Sequence, residues 1–210
     1  MRNGLLIGIL ILIATNLAFA QKKEIKKIKK SYNTYKDAIL NDKSELAIQC
    51  IDKRTIAYYD SLLVWVKTAD SAKLETYSFF DKFMVLIVRG RIEPEKIKTF
   101  TGTTLLAEAI ERGMVGKTSV ANTEIGSIIV EKDFAKTRFI ADGVEAPVDV
   151  HFYKTNKVWK IDLTSMFPLT QLVLTEMAKE NGQTENEFIL TILEYLAGQK
   201  PNASIWQPTK

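Results

Sequence analysis

The chain has 210 residues, 46% of them hydrophobic, with one cysteine, one histidine and a formal charge of +4. A chain of that size buries about 70% of its unfolded surface and needs no covalent staple; its lone cysteine excludes an internal disulfide, and one His with one Cys excludes the usual zinc ligand sets. Much of the positive excess sits in Lys22, Lys23, Lys26, Lys27, Lys29 and Lys30, and the remainder is nearly balanced, so no broad nucleic-acid surface is indicated.

The first twenty residues read as a secretory signal peptide. Arg2 and the amino terminus supply positive charge, an apolar run spans Gly4 to Ala14, and Ala18-Phe19-Ala20 places small residues where a signal peptidase requires them. Cleavage before Gln21 and export to a periplasm or the exterior are expected. The alternative is a retained anchor, whose lysine flank would favour the cytoplasmic side, although the run is shorter than the ~20 apolar residues of a spanning helix. Residues 21–198 then read as one α+β domain, and 199–210, apart from Trp206, as a loose tail.

Residues 22–114 have helical spacing. Ile25, Ile28, Tyr32, Tyr35 and Ile39 form one stripe, with the lysines on the opposite side. Asn41-Asp42 breaks this helix, and Asp42 with Glu45 predicts a capping box for the next. Ile56, Tyr59, Leu63 and Val66 mark another stripe. Asp70-Ser71 predicts the start of a fourth helix carrying Tyr77, Phe80, Met84 and Ile87, the most buried of all, with Gly90 as its stop. A Pro94-led turn and a helix over about 104–112, ended by Gly113, follow.

Between 119 and 163 the period changes. Four stretches rich in Val, Ile, Phe and Thr (about 124–131, 134–141, 147–154 and 157–163) are separated by Lys132-Asp133, Asp142-Gly143 and Thr155-Asn156. Breaks this short predict antiparallel hairpins, hence a four-stranded meander whose third strand starts at Pro147. Two helices close the chain. One starts near Pro168 and ends at Asn181-Gly182; the other is boxed by Thr184 and Glu187 and ended by Gly198.

Few residues carry chemistry. On the third strand, alternation puts Asp149, His151 and Tyr153 on one face and Val148, Val150 and Phe152 on the other. An Asp-His-Tyr row in a cleft could do acid–base work; the simpler expectation is that the row faces water. Gly116-Lys117-Thr118 mimics the end of a phosphate-binding loop, but the motif needs Gly at position 111, which is Glu111. No Gly-x-Ser-x-Gly elbow is present, and Cys50, four residues after Leu46 in a helical pattern, reads as a buried inert thiol. No cofactor and no metal are expected. The lysines at 22–30 are either the solvated face of an amphipathic helix or a contact for an anionic membrane.

Helices followed by an antiparallel sheet whose last strand reads Asn156-Lys157-Val158-Trp159-Lys160-Ile161-Asp162 resemble the nuclear transport factor two-like superfamily over roughly residues 30–165. That resemblance implies a bent sheet wrapped on helices around an apolar pocket. The whole layout, from export signal through basic helical front and meander to two closing helices, also resembles periplasmic phospholipid-shuttle proteins. Both resemblances imply a helix-lined apolar cavity against the sheet, and neither fixes its ligand; the expected function is an exported, non-catalytic binding protein that holds an apolar small molecule, a lipid or an envelope protein partner there. Phe152, Tyr153, Trp159 and Ile161 are the expected contacts. The alternatives are a lipid shuttle, or an isomerase- or dehydratase-like enzyme using Asp149, His151 and Tyr153.

Overall fold

The tyrosine–isoleucine stripe that opens the chain is the inner face of a long helix. The computed structural model describes the backbone of residues 2–115 and 117–209, and the side chains of 21–115, 117 and 119–209. Helix α1 runs Arg2–Leu40. Ile28, Tyr32, Tyr35 and Ile39 are buried, while Lys22, Lys23, Lys26, Lys29 and Lys30 face solvent, as the spacing predicts. The side chains of residues 1–20, where a signal peptide is expected, lie outside the described residues. Among the described residues no helix is long and apolar enough to cross a membrane.

The chain leaves α1 through Asp42, whose φ of 55° lies in the left-handed region. The expected Asp42–Glu45 capping box does not form. Lys43 is the N-cap of α2 (Ser44–Gln49), with no side-chain bond, and the Asp42 carboxylate accepts instead from Lys117 Nζ at 2.6 Å. Helix α3 (Lys53–Thr68) is capped by Asp52 and buries Tyr59, Leu62, Leu63 and Val66. The single helix predicted from Asp70 is two: a one-turn α4 (Ser71–Leu74) and α5 (Phe79–Arg91). Ser78 accepts from the Asp81 backbone N–H and starts α5. Val85, Leu86, Ile87 and Val88 are buried there. Gly90 does not stop α5 but lies in its last turn; the helix ends before Pro94, which restricts the backbone ahead of it. The expected Pro94-led turn is helix α6 (Pro94–Thr99), followed by α7 (Gly102–Glu111) and a short α8 (Thr118–Ala121).

The meander is present: β1 (Thr123–Glu131), β2 (Phe134–Ala141), β3 (Val144–Thr155) and β4 (Val158–Asp162) pair antiparallel in that order. Asp142-Gly143 and Asn156-Lys157 both have two positive-φ residues, as tight hairpin turns of matching twist require. Strand β3 begins three residues before Pro147, so the expected start is corrected. The register passes from Arg138↔Asp149 to Ile140↔Glu145, so β3 spends four steps where β2 spends two. That bulge is where a proline, with no N–H to donate, is tolerated. A second irregularity lies on β1 between Ile125 and Ile128, at Gly126.

The free edge of β4 is closed by the chain between α2 and α3. Ile161 N–H donates to Cys50 O at 2.8 Å, and Asp52 N–H donates to Ile161 O at 2.7 Å, a parallel bridge that covers an otherwise unpaired strand. A 3₁₀ turn (Leu163–Met166) leads to α9 (Phe167–Glu180) and α10 (Glu185–Ala197), the latter with the predicted Thr184–Glu187 box and Gly198 in the left-handed region. Lys82, 3% exposed, ties α5 to α10 by donating to Asn186 Oδ1 and to the end of α4 by donating to Glu75 Oε2, each at 3.0 Å. The expected loose tail is corrected too: it makes a 3₁₀ turn (Ala203–Trp206) and buries Ile205. The fold is therefore α+β, with helices before and after one antiparallel sheet.

Candidate functional site

Helix α1 crosses the inner face of the sheet and is fastened at both sides. Toward β1, the Tyr32 hydroxyl meets Thr123 Oγ1 at 2.6 Å and Lys36 Nζ donates to Thr123 O at 2.8 Å. Toward β4, Ser31 Oγ donates to Trp159 O at 2.8 Å. Glu24 completes the second fastening. Its Oε2 accepts from Trp159 Nε1 at 2.7 Å and from Lys154 Nζ at 2.8 Å, and its Oε1 accepts from Lys27 Nζ at 2.8 Å.

The lysine beside it holds Glu24 well below the usual carboxylate range. The hydrogen bond from Lys154 acts most strongly, the one from Lys27 next, and the carboxyl pKa falls from 4.5 to about 2. A group whose folded-state pKa is depressed stabilises above its unfolded value, and that stabilisation is lost as pH falls toward the folded value. Glu24→Gln is therefore expected to lower stability by about 2 kcal/mol at pH 7, after allowance for solvent screening of the two lysines. The gap from the natural protein should close between pH 4.5 and about 2. Urea unfolding across that range measures it, and a gap that does not change with pH would refute the role.

Next to this clamp lies a groove of about 340 Å³, between α1, α2 and the β3–β4 hairpin. Its floor is Cys50 and Trp159, which are nearly buried; Leu46 and Val158 form apolar walls, and Lys30 and Lys157 stand at its margin. Neither lysine makes an ion pair among the described residues, and no carboxylate lines the groove. Burial pushes the Cys50 thiol up, so it stays protonated and poorly nucleophilic. A second groove, of about 600 Å³, lies along α3 beside Ile48, Ile56 and Lys160, but its wall includes the Asp60 carboxylate. There Arg54 is already committed, to Asp52 Oδ1 at 2.8 Å and to the Tyr153 ring, 3.4 Å from its centroid.

The four expected contacts separate. Phe152, Trp159 and Ile161 share the inner face of the sheet, exposed by only 0%, 1% and 1%. They meet as filled core, and of the four only Trp159 reaches the groove. Tyr153 points to the outer face, beneath Arg54. The row Asp149, His151 and Tyr153 lies on that outer face as alternation predicts, with Val150 and Phe152 in the core. Asp149 sits 3.4 Å from Arg138 Nε and 3.8 Å from Lys136 Nζ, and His151 packs edge-on against Phe134. Among the described residues no hydrogen bond links the three side chains, whereas an acid–base relay needs hydrogen-bond reach. Gly116 of the phosphate-loop mimic lies outside the described residues. Among those described, no group of three His, Cys, Asp or Glu is placed to hold a metal ion.

Sequence reasoning missed Glu24, Lys154 and Lys157, and met Lys30 only as one of the lysines at 22–30. One signal was available: Glu24 is the only acid between Gln21 and Lys36, and a lone carboxylate in a lysine run invites a local ion pair. Its partners on the sheet could not be foreseen from spacing. Comparison with protein-family models, with curated proteins and with solved structures returns no match to this chain.

Proposed function

We propose that the protein is an exported, non-catalytic binding module, and that its ligand sits in the groove between α1, α2 and the β3–β4 hairpin. The observation that carries this reading is the contrast between a closed interior and an open seam. Phe152 and Ile161 leave no room beneath the sheet, while the seam beside Trp159 opens to about 340 Å³ with an apolar floor. That volume is at the small end of the range for specific small-molecule sites, which are typically apolar with a few polar groups. On this reading the ligand sits in a groove at the edge of the sheet rather than in the expected cavity beneath it.

Native mass spectrometry of the protein purified from its host envelope tests the reading. The expected result is a co-purifying small molecule that is absent from a Leu46→Asp/Val158→Asp variant. Both side chains are exposed, 37% and 54%, so the variant should keep its fold. A bare natural protein, or a mass that persists in the variant, would count against the groove.

A further inference from the structure

We infer that the groove takes a single-chain amphiphile with an anionic head, its chain laid on Leu46, Val158 and Trp159 and its head held by Lys30 and Lys157; this rests on the binding role proposed above. Three features point to that class. The first is charge. Lys27, Lys30 and Lys157 line the groove with no carboxylate among them. Glu24, the one acid of this stretch of α1, lies beside the groove with its carboxylate already engaged by Trp159 Nε1, Lys154 and Lys27. Lys27 is spoken for by Glu24 at 2.8 Å, whereas Lys30 and Lys157 have no ion-pair partner among the described residues. A positive head would be repelled by the two ammonium groups, and a neutral one would leave them without an anionic partner, whereas an anionic head pairs with both.

The second feature is amphipathicity at one site. Apolar Leu46, Val158 and Trp159 share the groove with Thr34 and Gln49, whose polar groups can bond a head group beside the lysines. The third is size. About 340 Å³ matches the bulk of one acyl chain better than that of two. A carboxylate and a phosphate monoester share the chemistry these lysines recognise, and they are separated by experiment.

Calorimetric titration of the full-length protein with three probes of equal chain length tests the inference. The probes are myristate, the lysophosphatidic acid with a myristoyl chain, and the uncharged monomyristoyl glycerol, each below its micelle concentration. At least one anionic probe is expected to bind at least tenfold more tightly than the glyceride. Lys30→Glu/Lys157→Glu should weaken the anions about tenfold or more and leave the glyceride unchanged. Preference between the two anions identifies the head. If the glyceride binds as well as the anions and charge reversal moves nothing by more than twofold, the anionic class is wrong while the groove stands, provided Val158→Asp abolishes binding. Tight binding that ignores Val158→Asp overturns the groove itself. If none of the three binds, the amphiphile class falls, and the co-purified mass decides the binding role separately.

Discussion

Arg89→Ala is expected to lower the free energy of unfolding by about 3 kcal/mol and to free the C-terminal segment. From the last turn of α5, the guanidinium reaches the carboxyl end of α3, where carbonyls lack intrahelical donors. Nε donates to Val66 O at 3.0 Å, and Nη2 donates to Trp65 O at 3.2 Å and to Ala69 O at 2.6 Å. Nη1 donates to Ile205 O at 3.0 Å and so ties down the tail. One cation thus caps a helix, opposes its dipole and holds a third segment in place. Burial pulls the Arg89 pKa down from 12.5 to about 10, which still leaves it charged at neutral pH. Each of these carbonyls would lose a charge-assisted bond in the alanine variant; Trp65 O retains Ala69 N–H and Val66 O retains Thr209 N–H. For a chain this long the loss corresponds to a fall in Tm of roughly 10 °C. Lysine should restore little, because an ammonium cannot span the same forked set of acceptors. Thermal unfolding checks the magnitude, and limited proteolysis between Gln199 and Thr209 checks the release. A variant that melts within 2 °C of the natural protein, with its tail equally protected, would remove Arg89 from this role.

Much of the architecture was legible because its signals are local. The hairpins follow from alternation broken at Asp142-Gly143 and Thr155-Asn156, the second turn forming one residue later at Asn156-Lys157, and the last helix from Thr184, Glu187 and Gly198. The misreadings occur where two local signals compete or where the deciding partner is distant. Asp70 and Ser78 are both competent N-caps; the chain uses both, and Phe79 and Phe80, buried behind Ser78, begin the long helix. Pro147 reads as a strand start, but the bulge that admits it inside β3 is a property of pairing with β2. The tail reads as loose because Ile205 is its main buried apolar group and the anchor, Arg89, lies on α5.

The site was legible in part for the same reason. Trp159 is an expected contact from the resemblance that the final strand carries, and it lines the groove. Alternation says which side chains share a face; it does not say whether that face meets a cavity or a packed neighbour. Ile28, Tyr32 and Tyr35 of α1 are among the buried residues of the core that closes over Phe152 and Ile161. Complementarity of that kind is set by volumes brought together from opposite ends of the chain, as dense interiors require. The opening is left at the seam, where the lysine-rich turns of α1 pass the β3–β4 hairpin.

Trp159→Ala is expected to cost about 4 kcal/mol and to extend the groove inward, whereas Trp159→Phe should cost about half as much and leave the groove's depth nearly unchanged. The indole is 1% exposed and paired through its backbone register with Lys154 on β3. It is also held at its edge by Glu24 and lies under the Lys154 ammonium, 5.5 Å from the ring centroid. Truncation to alanine removes the largest fully buried side chain and leaves a cavity open to the groove rather than sealed in the core. Phenylalanine keeps most of the apolar volume and loses the bond from Nε1 to Glu24. The two effects are separable by a double-mutant cycle with Glu24→Gln, measured by urea unfolding at pH 7. If the clamp couples α1 to the hairpin through this bond, the two losses should fall short of additivity by about 1 kcal/mol with phenylalanine at 159. At pH 2 the coupling should shrink, because the Glu24 carboxyl is then almost wholly protonated in the unfolded state and about half protonated in the folded one. Additive losses at pH 7 would mean that Glu24 serves the two lysines alone and that Trp159 contributes through volume only.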